Sequence, residues 1–163
     1  MHTQLTQVPE GQGERGAIGA SRPGVKSVAR RLAWLVPVAV LSVSVADIAL
    51  YEVAGVIDPD VTGWAGAGAA QIIGANAVYL MVAAAALLVL VKITRAPARW
   101  FAILATIGVV ASLALPVAAG LGEGTVAVPA PGLSTVIALL AMHLISYAIA
   151  VPMFLRFGPT RRG

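Results

Sequence analysis

The chain has 163 residues, of which 59% are apolar and 11% are charged, and its formal net charge is +4 at pH 7. A soluble globular domain averages about 25% charged residues, so this composition excludes an ordinary water-soluble protein. The length fits a single domain. The chain has no cysteine, which removes disulfides, thiolate metal sites and cysteine nucleophiles.

The eleven basic residues fall into three segments, at the start, the middle and the end of the sequence. The connections near residues 58–68 and 121–132 contain no Lys or Arg and carry Asp58, Asp60 and Glu123 instead. Because basic segments resist translocation, this alternation predicts four membrane crossings with both termini in the cytoplasm. It also argues against nucleic-acid binding, since the basic residues border apolar runs and do not gather on one folded face. The basic residues are Arg15, Arg22, Lys26, Arg30, Arg31, Lys92, Arg95, Arg99, Arg156, Arg161 and Arg162.

The first predicted segment of the chain is a polar tail. Residues 1–28 predict a disordered cytoplasmic tail, and residues 158–163 predict a second, short one. Between them, residues 29–157 predict an all-α, four-helix transmembrane bundle with antiparallel neighbours, because runs this long satisfy the backbone as helices. Each run can cross about 30 Å of hydrocarbon at 1.5 Å per residue. The helices are expected at about 32–56, 69–91, 100–120 and 132–155.

An alternative interpretation of the first run is a cleaved export signal. Residues 30–46 have a basic start and a short apolar core, and Ser44-Val45-Ala46 would serve as a small-residue cleavage site. The twin arginine at its start is also typical of an export signal. Cleavage would leave three spans with the new N-terminus outside. The long preceding tail and the apolar sequence after Asp47 favour a retained first helix.

Prolines are expected to shape three of the helices. Pro116 and Pro152 lie within the third and fourth helices, and Pro37 lies within the first. A proline lacks the backbone N–H and clashes with the preceding turn, so each should kink its helix or mark its end.

Acidic residues within the first span are candidate functional groups, because charge in hydrocarbon is costly. Asp47 lies roughly 22 Å along the helix from Leu32, in the predicted outer half. Ser44 and Tyr51 share its face at i−3 and i+4. Glu52 lies at the outer interface and is expected to be solvated. Asp47 fits either a buried structural carboxylate or a proton-binding group.

Other polar residues of the second and fourth helices lie between the outer half of the bundle and just past its middle. His143 lies near the midplane and shares a face with Ser146 and Tyr147; a lone His suits interhelical hydrogen bonding or proton binding better than a metal. Asn76 lies at nearly the depth of Asp47, and Tyr79 lies deeper. The candidate intramembrane polar cluster is therefore Asp47, Asn76, Tyr79, His143 and Tyr147.

Several of these features resemble a family of small four-helix membrane proteins from high-GC Gram-positive bacteria, a domain-of-unknown-function family of actinobacteria. They are the acidic end of the first span, the basic loop around Lys92 to Arg99, and Met142-His143-Leu144 with Pro152 beyond it. The resemblance covers about Arg31 to Arg156. It implies a four-helix topology in a bacterial cell membrane and draws attention to His143, and it implies no activity.

The sequence lacks the motifs of the common enzyme classes. It has no Gly-Lys-Ser/Thr phosphate loop, no His-Glu-x-x-His and no Gly-x-Ser-x-Gly, so we predict no catalytic residue, cofactor or metal. The leading hypothesis is a non-enzymatic scaffold, accessory or envelope component. Its expected partners are the bilayer, anionic inner-leaflet headgroups and either a second copy or another membrane protein. Alternatives are a proton-linked transporter or channel that uses Asp47 and His143, and a membrane-embedded enzyme with the same two residues as an acid–base pair.

Overall fold

A computed structural model describes residues 24–122 and 129–158. Glu123 and nearly all of the two predicted tails lie outside the described residues. The helices are α1 (Val25–Ile57), α2 (Pro59–Gly63), α3 (Ala69–Ile93), α4 (Pro97–Ser112), α5 (Ala114–Gly120) and α6 (Leu133–Phe157).

The prediction of an all-α bundle of four long apolar helices is confirmed. Four segments are long and apolar enough to cross a membrane: α1, α3, α4 continued by α5, and α6. The described residues contain no strand. The bilayer core contains no water to hydrogen-bond the backbone. A helix satisfies its backbone N–H and C=O groups within its own segment, so helices suit this environment.

The helix ends differ from the expected ones for local reasons. α1 begins at Val25, within the stretch expected to be tail, and the Ser27 hydroxyl donates to the Gly24 carbonyl at 2.7 Å in its first turn. Between α3 and α4, the Ala96 amide donates to the Thr94 side chain at 2.9 Å. Pro97 then opens α4, where its missing N–H has no intrahelical partner to lose.

Proline has different effects in the third and fourth spans. The third span divides into α4 and α5 at Leu113, three residues before Pro116. Pro116 has no N–H to donate to the carbonyl of Ser112, so the helical ladder is interrupted there. Pro152 lies inside α6, which continues past it to Phe157, and Pro37 lies inside an unbroken α1.

α1 packs along both α3 and α6 and forms the centre of the bundle. The larger core, which we call the basic-end core, lies where α1 and α4 begin and α3 and α6 end. Its ring pair, Phe101 and Phe154, has centroids 5.6 Å apart. A smaller acidic-end core at the opposite end includes Tyr51, Val61 and Met142. The described Lys and Arg residues flank the basic-end core, whereas Asp58 and Asp60 lie beside the acidic-end core. Residues of the basic-end core include Val28, Leu32, Leu87, Leu90, Phe101 and Phe154.

The outer surface of the bundle is apolar, as a lipid environment requires. Large hydrophobic side chains such as Trp34, Leu41 and Val110 are more than half exposed. α4 is the least enclosed of the long helices, because Phe101 is its only buried residue. In water, so much exposed apolar area would drive association.

Candidate functional site

Asp47 lies on the most deeply buried stripe of α1. Val43, Asp47 and Tyr51 follow one another at intervals of one helical turn, and all three are buried. The Asp47 side chain is only 2% exposed. The sequence places it there because the positions one turn before and after it pack against α3 and α6, and the carboxylate shares their direction.

Side chains of two other helices donate to one oxygen of this carboxylate. Asn76 of α3 donates from Nδ2 to Oδ2 at 2.9 Å, and Ser146 of α6 donates from Oγ to the same atom at 2.8 Å. The Asn76 amide also lies 3.3 Å from the hydroxyl of Ser44, one turn before Asp47. We call Ser44, Asp47, Asn76 and Ser146 the Asp47 cluster. It joins α1, the centre of the bundle, to the two helices that pack along it, α3 and α6.

The second carboxylate oxygen has no hydrogen-bond partner among the described residues. Oδ1 of Asp47 is buried and accepts no hydrogen bond from the described residues. The two donors to Oδ2 are a neutral amide and a neutral hydroxyl, and the spans contain no Lys or Arg near this depth. A buried oxygen without a donor loses its hydration uncompensated. A proton on Oδ1 would make the group a neutral acid while Oδ2 kept both of its hydrogen bonds.

His143 lies beside the Asp47 cluster without joining it. Its Nδ1 is 2.7 Å from the carbonyl oxygen of Leu139. Because a carbonyl only accepts, Nδ1 is the donor of this bond, and Nε2 is the ring nitrogen that faces away from it. The ring is near enough to Asp47 to interact with it electrostatically, yet no hydrogen bond in the described part of the chain connects the two. A direct acid–base pair is therefore not formed.

The structure separates the two tyrosines of the predicted cluster from Asp47. Tyr79 is 54% exposed and lies on the outward face of α3. The inward face of α3 continues from Asn76 to Leu80, four residues on, and Tyr79 is rotated away from that stripe. The Tyr147 hydroxyl pairs with Thr106 at 2.8 Å and joins α6 to α4. The structure therefore does not bring Tyr79 and Tyr147 of the predicted cluster to the carboxylate.

Two hydroxyls complete the cluster, although the predicted set did not include them. Ser44 shares a face of α1 with Asp47, and Ser146 shares a face of α6 with His143. The signal that identifies Ser146 is Ala150, one turn later, which is buried against the centre of the bundle. A small residue one turn away marks the face on which helices approach closely.

Polar contacts at the acidic end hold the first connection. The Tyr51 hydroxyl lies 3.2 Å from the Thr62 carbonyl and 3.0 Å from the Ala67 carbonyl. Asp58 accepts from the Ser134 hydroxyl and, at 3.0 Å, from the Asp60 amide. These two bonds, the one from Ser134 first, lower the pKa of the partly buried Asp58 carboxyl below its ordinary value. The contacts tie α1, α2 and α6 together, and Glu52 nearby is exposed, as expected.

The donor set does not favour a metal. Among residues 24–122 and 129–158, no three His, Asp or Glu side chains come together closely enough to hold an ion. The Asp47 cluster offers one carboxylate, two hydroxyls and an amide whose NH₂ already donates to Asp47. Its geometry is that of an interhelical hydrogen-bond site.

Comparison with protein-family models, curated proteins and solved structures found no match for this chain. The resemblance to the actinobacterial family therefore stays a prediction.

Proposed function

We propose that the protein is a multi-pass integral membrane protein without enzymatic activity, which acts as a scaffold, accessory or envelope component in a bacterial plasma membrane. The observation that carries this proposal is the pair of hydrogen bonds that the Asp47 carboxylate accepts. Both hydrogen bonds to its carboxylate come from side chains of neighbouring helices. The most costly polar group in the bundle is thus engaged in holding α1, α3 and α6 together.

The energy of such a cluster suits a structural role. Interhelical hydrogen bonds in membrane proteins contribute about 0.6 kcal/mol on average and up to about 1.7 kcal/mol. They also fix which faces meet, because a carboxylate rotated toward lipid would lose its donors. A set shared by three helices therefore selects one rotation of each helix.

The orientation proposed for the bundle places both ends of the chain in the cytoplasm. The supporting observation is that Arg31, Lys92 and Arg156 lie at one end of the bundle, whereas Asp58 and Asp60 lie at the other. Basic residues remain on the cytoplasmic side during insertion. Anionic headgroups of the inner leaflet are then the natural partners of the basic end.

The absence of cysteine from the sequence provides a direct test of this orientation. In intact cells, Asp60→Cys should react with a membrane-impermeant maleimide, and Ala96→Cys should react only after the membrane is permeabilised. Both positions are exposed in the structure. The reverse labelling pattern would overturn the orientation.

A second candidate function, a proton-linked transporter or channel, draws on two observations. Oδ1 of Asp47 has no donor among the described residues, and His143 lies within electrostatic range. In such a protein, Asp47 would bind the proton and His143 would pass it on through Nε2. A membrane-embedded enzyme has less support, because no hydrogen bond joins Asp47 to His143 among the described residues.

Proton flux distinguishes the two candidates. The purified protein is reconstituted into vesicles that contain a pH-sensitive dye, and a potassium diffusion potential is imposed in either direction. The scaffold proposal expects the same flux as in protein-free vesicles, for the wild type and for Asp47→Asn alike. The amide introduced by this substitution would still present an acceptor oxygen to Asn76 and Ser146, so the fold should persist. Flux through the wild type that disappears in this folded variant would replace the scaffold proposal with the transport one.

A further inference from the structure

A groove of about 690 Å³ lies at the basic end of the bundle, between the start of α1 and the end of α6. Arg30 and Arg31 of α1 and Arg156 of α6 line it, and Trp34 and Val38 continue the α1 side toward the membrane interior. The Trp34 side chain is 79% exposed. The groove thus combines a rim of three guanidinium groups with an apolar wall.

Among residues 24–122 and 129–158, no carboxylate lies near Arg30 or Arg156 in this groove. The nearest acidic residue along α1 is Asp47, about 26 Å from Arg30 at 1.5 Å per residue. Every other carboxylate within residues 24–122 and 129–158 lies still closer to the acidic end. Arg30 and Arg156 form no ion pair with any of these carboxylates. The Arg156 guanidinium is instead 5.7 Å from the ring centroid of Phe157, a contact that leaves its N–H groups available to an anion.

We propose that this groove binds one anionic phospholipid, with its phosphate between Arg30 and Arg156 and its first acyl-chain segment along Trp34 and Val38. Guanidinium groups match the geometry of phosphate oxygens and are weakly hydrated, so they bind phosphate at an apolar boundary. The groove volume falls within the range of small-molecule sites. Basic pockets between membrane helices recognise lipid headgroups by this combination.

The apolar wall selects a lipid in preference to free phosphate. Trp34 and Val38 are one turn apart on the same face of α1, so the wall extends about 6 Å inward from the level of the indole. Met153 of α6 lines the same groove from the other side. A free phosphate would leave this wall uncovered, whereas an acyl chain would cover it. The site requires only that this end of the bundle reach a leaflet surface, and it is independent of whether the protein is a scaffold or a transporter.

Native mass spectrometry of the full-length protein in detergent tests the proposal. Phosphatidylglycerol and phosphatidylcholine with the same acyl chains are titrated separately, and the fraction of protein that retains one lipid is measured. The wild type should bind phosphatidylglycerol about tenfold more tightly or better, because phosphatidylcholine carries a compensating ammonium group. The combined variant Arg30→Gln and Arg156→Gln should bind phosphatidylglycerol about 30-fold more weakly, since two headgroup attractions are lost.

The matched control is Arg95→Gln combined with Arg99→Gln, which removes two exposed arginines from the same end of the bundle but outside the groove. It should change the affinity by less than about threefold. Equal losses in the two double variants would overturn the site in favour of general surface attraction. Equal binding of the two lipids by the wild type would also overturn it, without reference to any variant. Displacement of the lipid by millimolar inorganic phosphate would reduce the groove to a simple anion site and refute the lipid assignment.

Discussion

Replacing Asp47 and Ser146 with alanine, singly and together, should reveal a favourable coupling energy between α1 and α6. The Ser146 hydroxyl donates to Asp47 at 2.8 Å, across 99 residues of sequence, and the carboxylate is buried. If this bond holds the two helices in register, the double variant should lose less stability than the two single variants lose in sum.

The hydrogen bonds of the cluster give the expected magnitude. Ser146→Ala removes one interhelical bond, and Asp47→Ala removes that bond and the one from Asn76. At about 0.6 to 1.7 kcal/mol each, the first change should cost about 1 kcal/mol and the second about 2 kcal/mol. The coupling should be about 1 kcal/mol. In Asp47→Ala, the Ser146 hydroxyl can turn to the carbonyl of Met142 in its own helix. This replacement bond keeps the loss of unfolding free energy near the lower end of the expected range.

Unfolding in mixed micelles of a mild detergent and sodium dodecyl sulfate measures these free energies, with circular dichroism following helix content. Ser42→Ala is the matched control. The Ser42 hydroxyl donates to the Val38 carbonyl of its own helix at 2.8 Å, so its removal should leave the free energy of unfolding unchanged within about 0.5 kcal/mol. Equal effects of Ser146→Ala and Ser42→Ala would refute the interhelical role of Ser146. A coupling energy below about 0.3 kcal/mol would do the same for the Asp47 cluster.

Three further predictions concern the two ends of the bundle. Tyr51→Phe should cost about 1 kcal/mol in the same unfolding assay, because the hydroxyl is hydrogen-bonded to the connection between α1 and α3. The control Tyr79→Phe, which removes an outward-facing hydroxyl, should leave the free energy of unfolding unchanged. Equal losses in the two variants would contradict the role of the Tyr51 hydroxyl in holding this connection. Phe154→Ala should cost about 3 to 5 kcal/mol, since the ring is fully buried, and a loss below about 1 kcal/mol would mean that the basic-end core packs differently. The pKa of Asp58 is lowered in the folded state, so its stabilising contribution is present above the pKa of the unfolded chain and is lost as the pH falls through the folded value. The difference in thermal midpoint between the wild type and Ser134→Ala should therefore be constant near neutral pH and shrink below about pH 4; a difference that grows on acidification would exclude this role.

The depth of a side chain in the membrane could be predicted from the sequence, because depth increases by a constant step with each residue of a helix. Each residue of a helix adds 1.5 Å, so counting from the helix ends placed Asp47 and Asn76 at nearly the same depth. The structure brings these two side chains within 2.9 Å. Counting along the fourth helix placed His143 deeper, near the midplane, and the structure has it within electrostatic range of Asp47, with no hydrogen bond between the two among the described residues.

Rotation about the helix axis was not accessible in the same way. In a chain this rich in Ala, Val and Leu, most faces of each helix are apolar, so periodicity does not single out the inward one. Tyr79 is one residue away from the inward stripe of α3, and this offset turns it to the exterior. Ser146 and Tyr147 are adjacent, yet the first bonds to α1 and the second to α4. A step of about 100° per residue separates these outcomes.

The sequence by itself determined the helical class, the number of long apolar helices and the placement of basic residues at alternate connections. Hydrophobicity, segment length and charge are local properties of the chain, and they decide which segments enter the hydrocarbon core and which stay outside it. Only the tertiary structure decided which side chains meet. It placed Ser44 and Ser146 beside Asp47, turned Tyr79 outward and opened the arginine groove between α1 and α6. These outcomes depend on how three helices pack against one another, and the van der Waals and hydrogen-bond terms that choose the packing act between residues far apart in the chain.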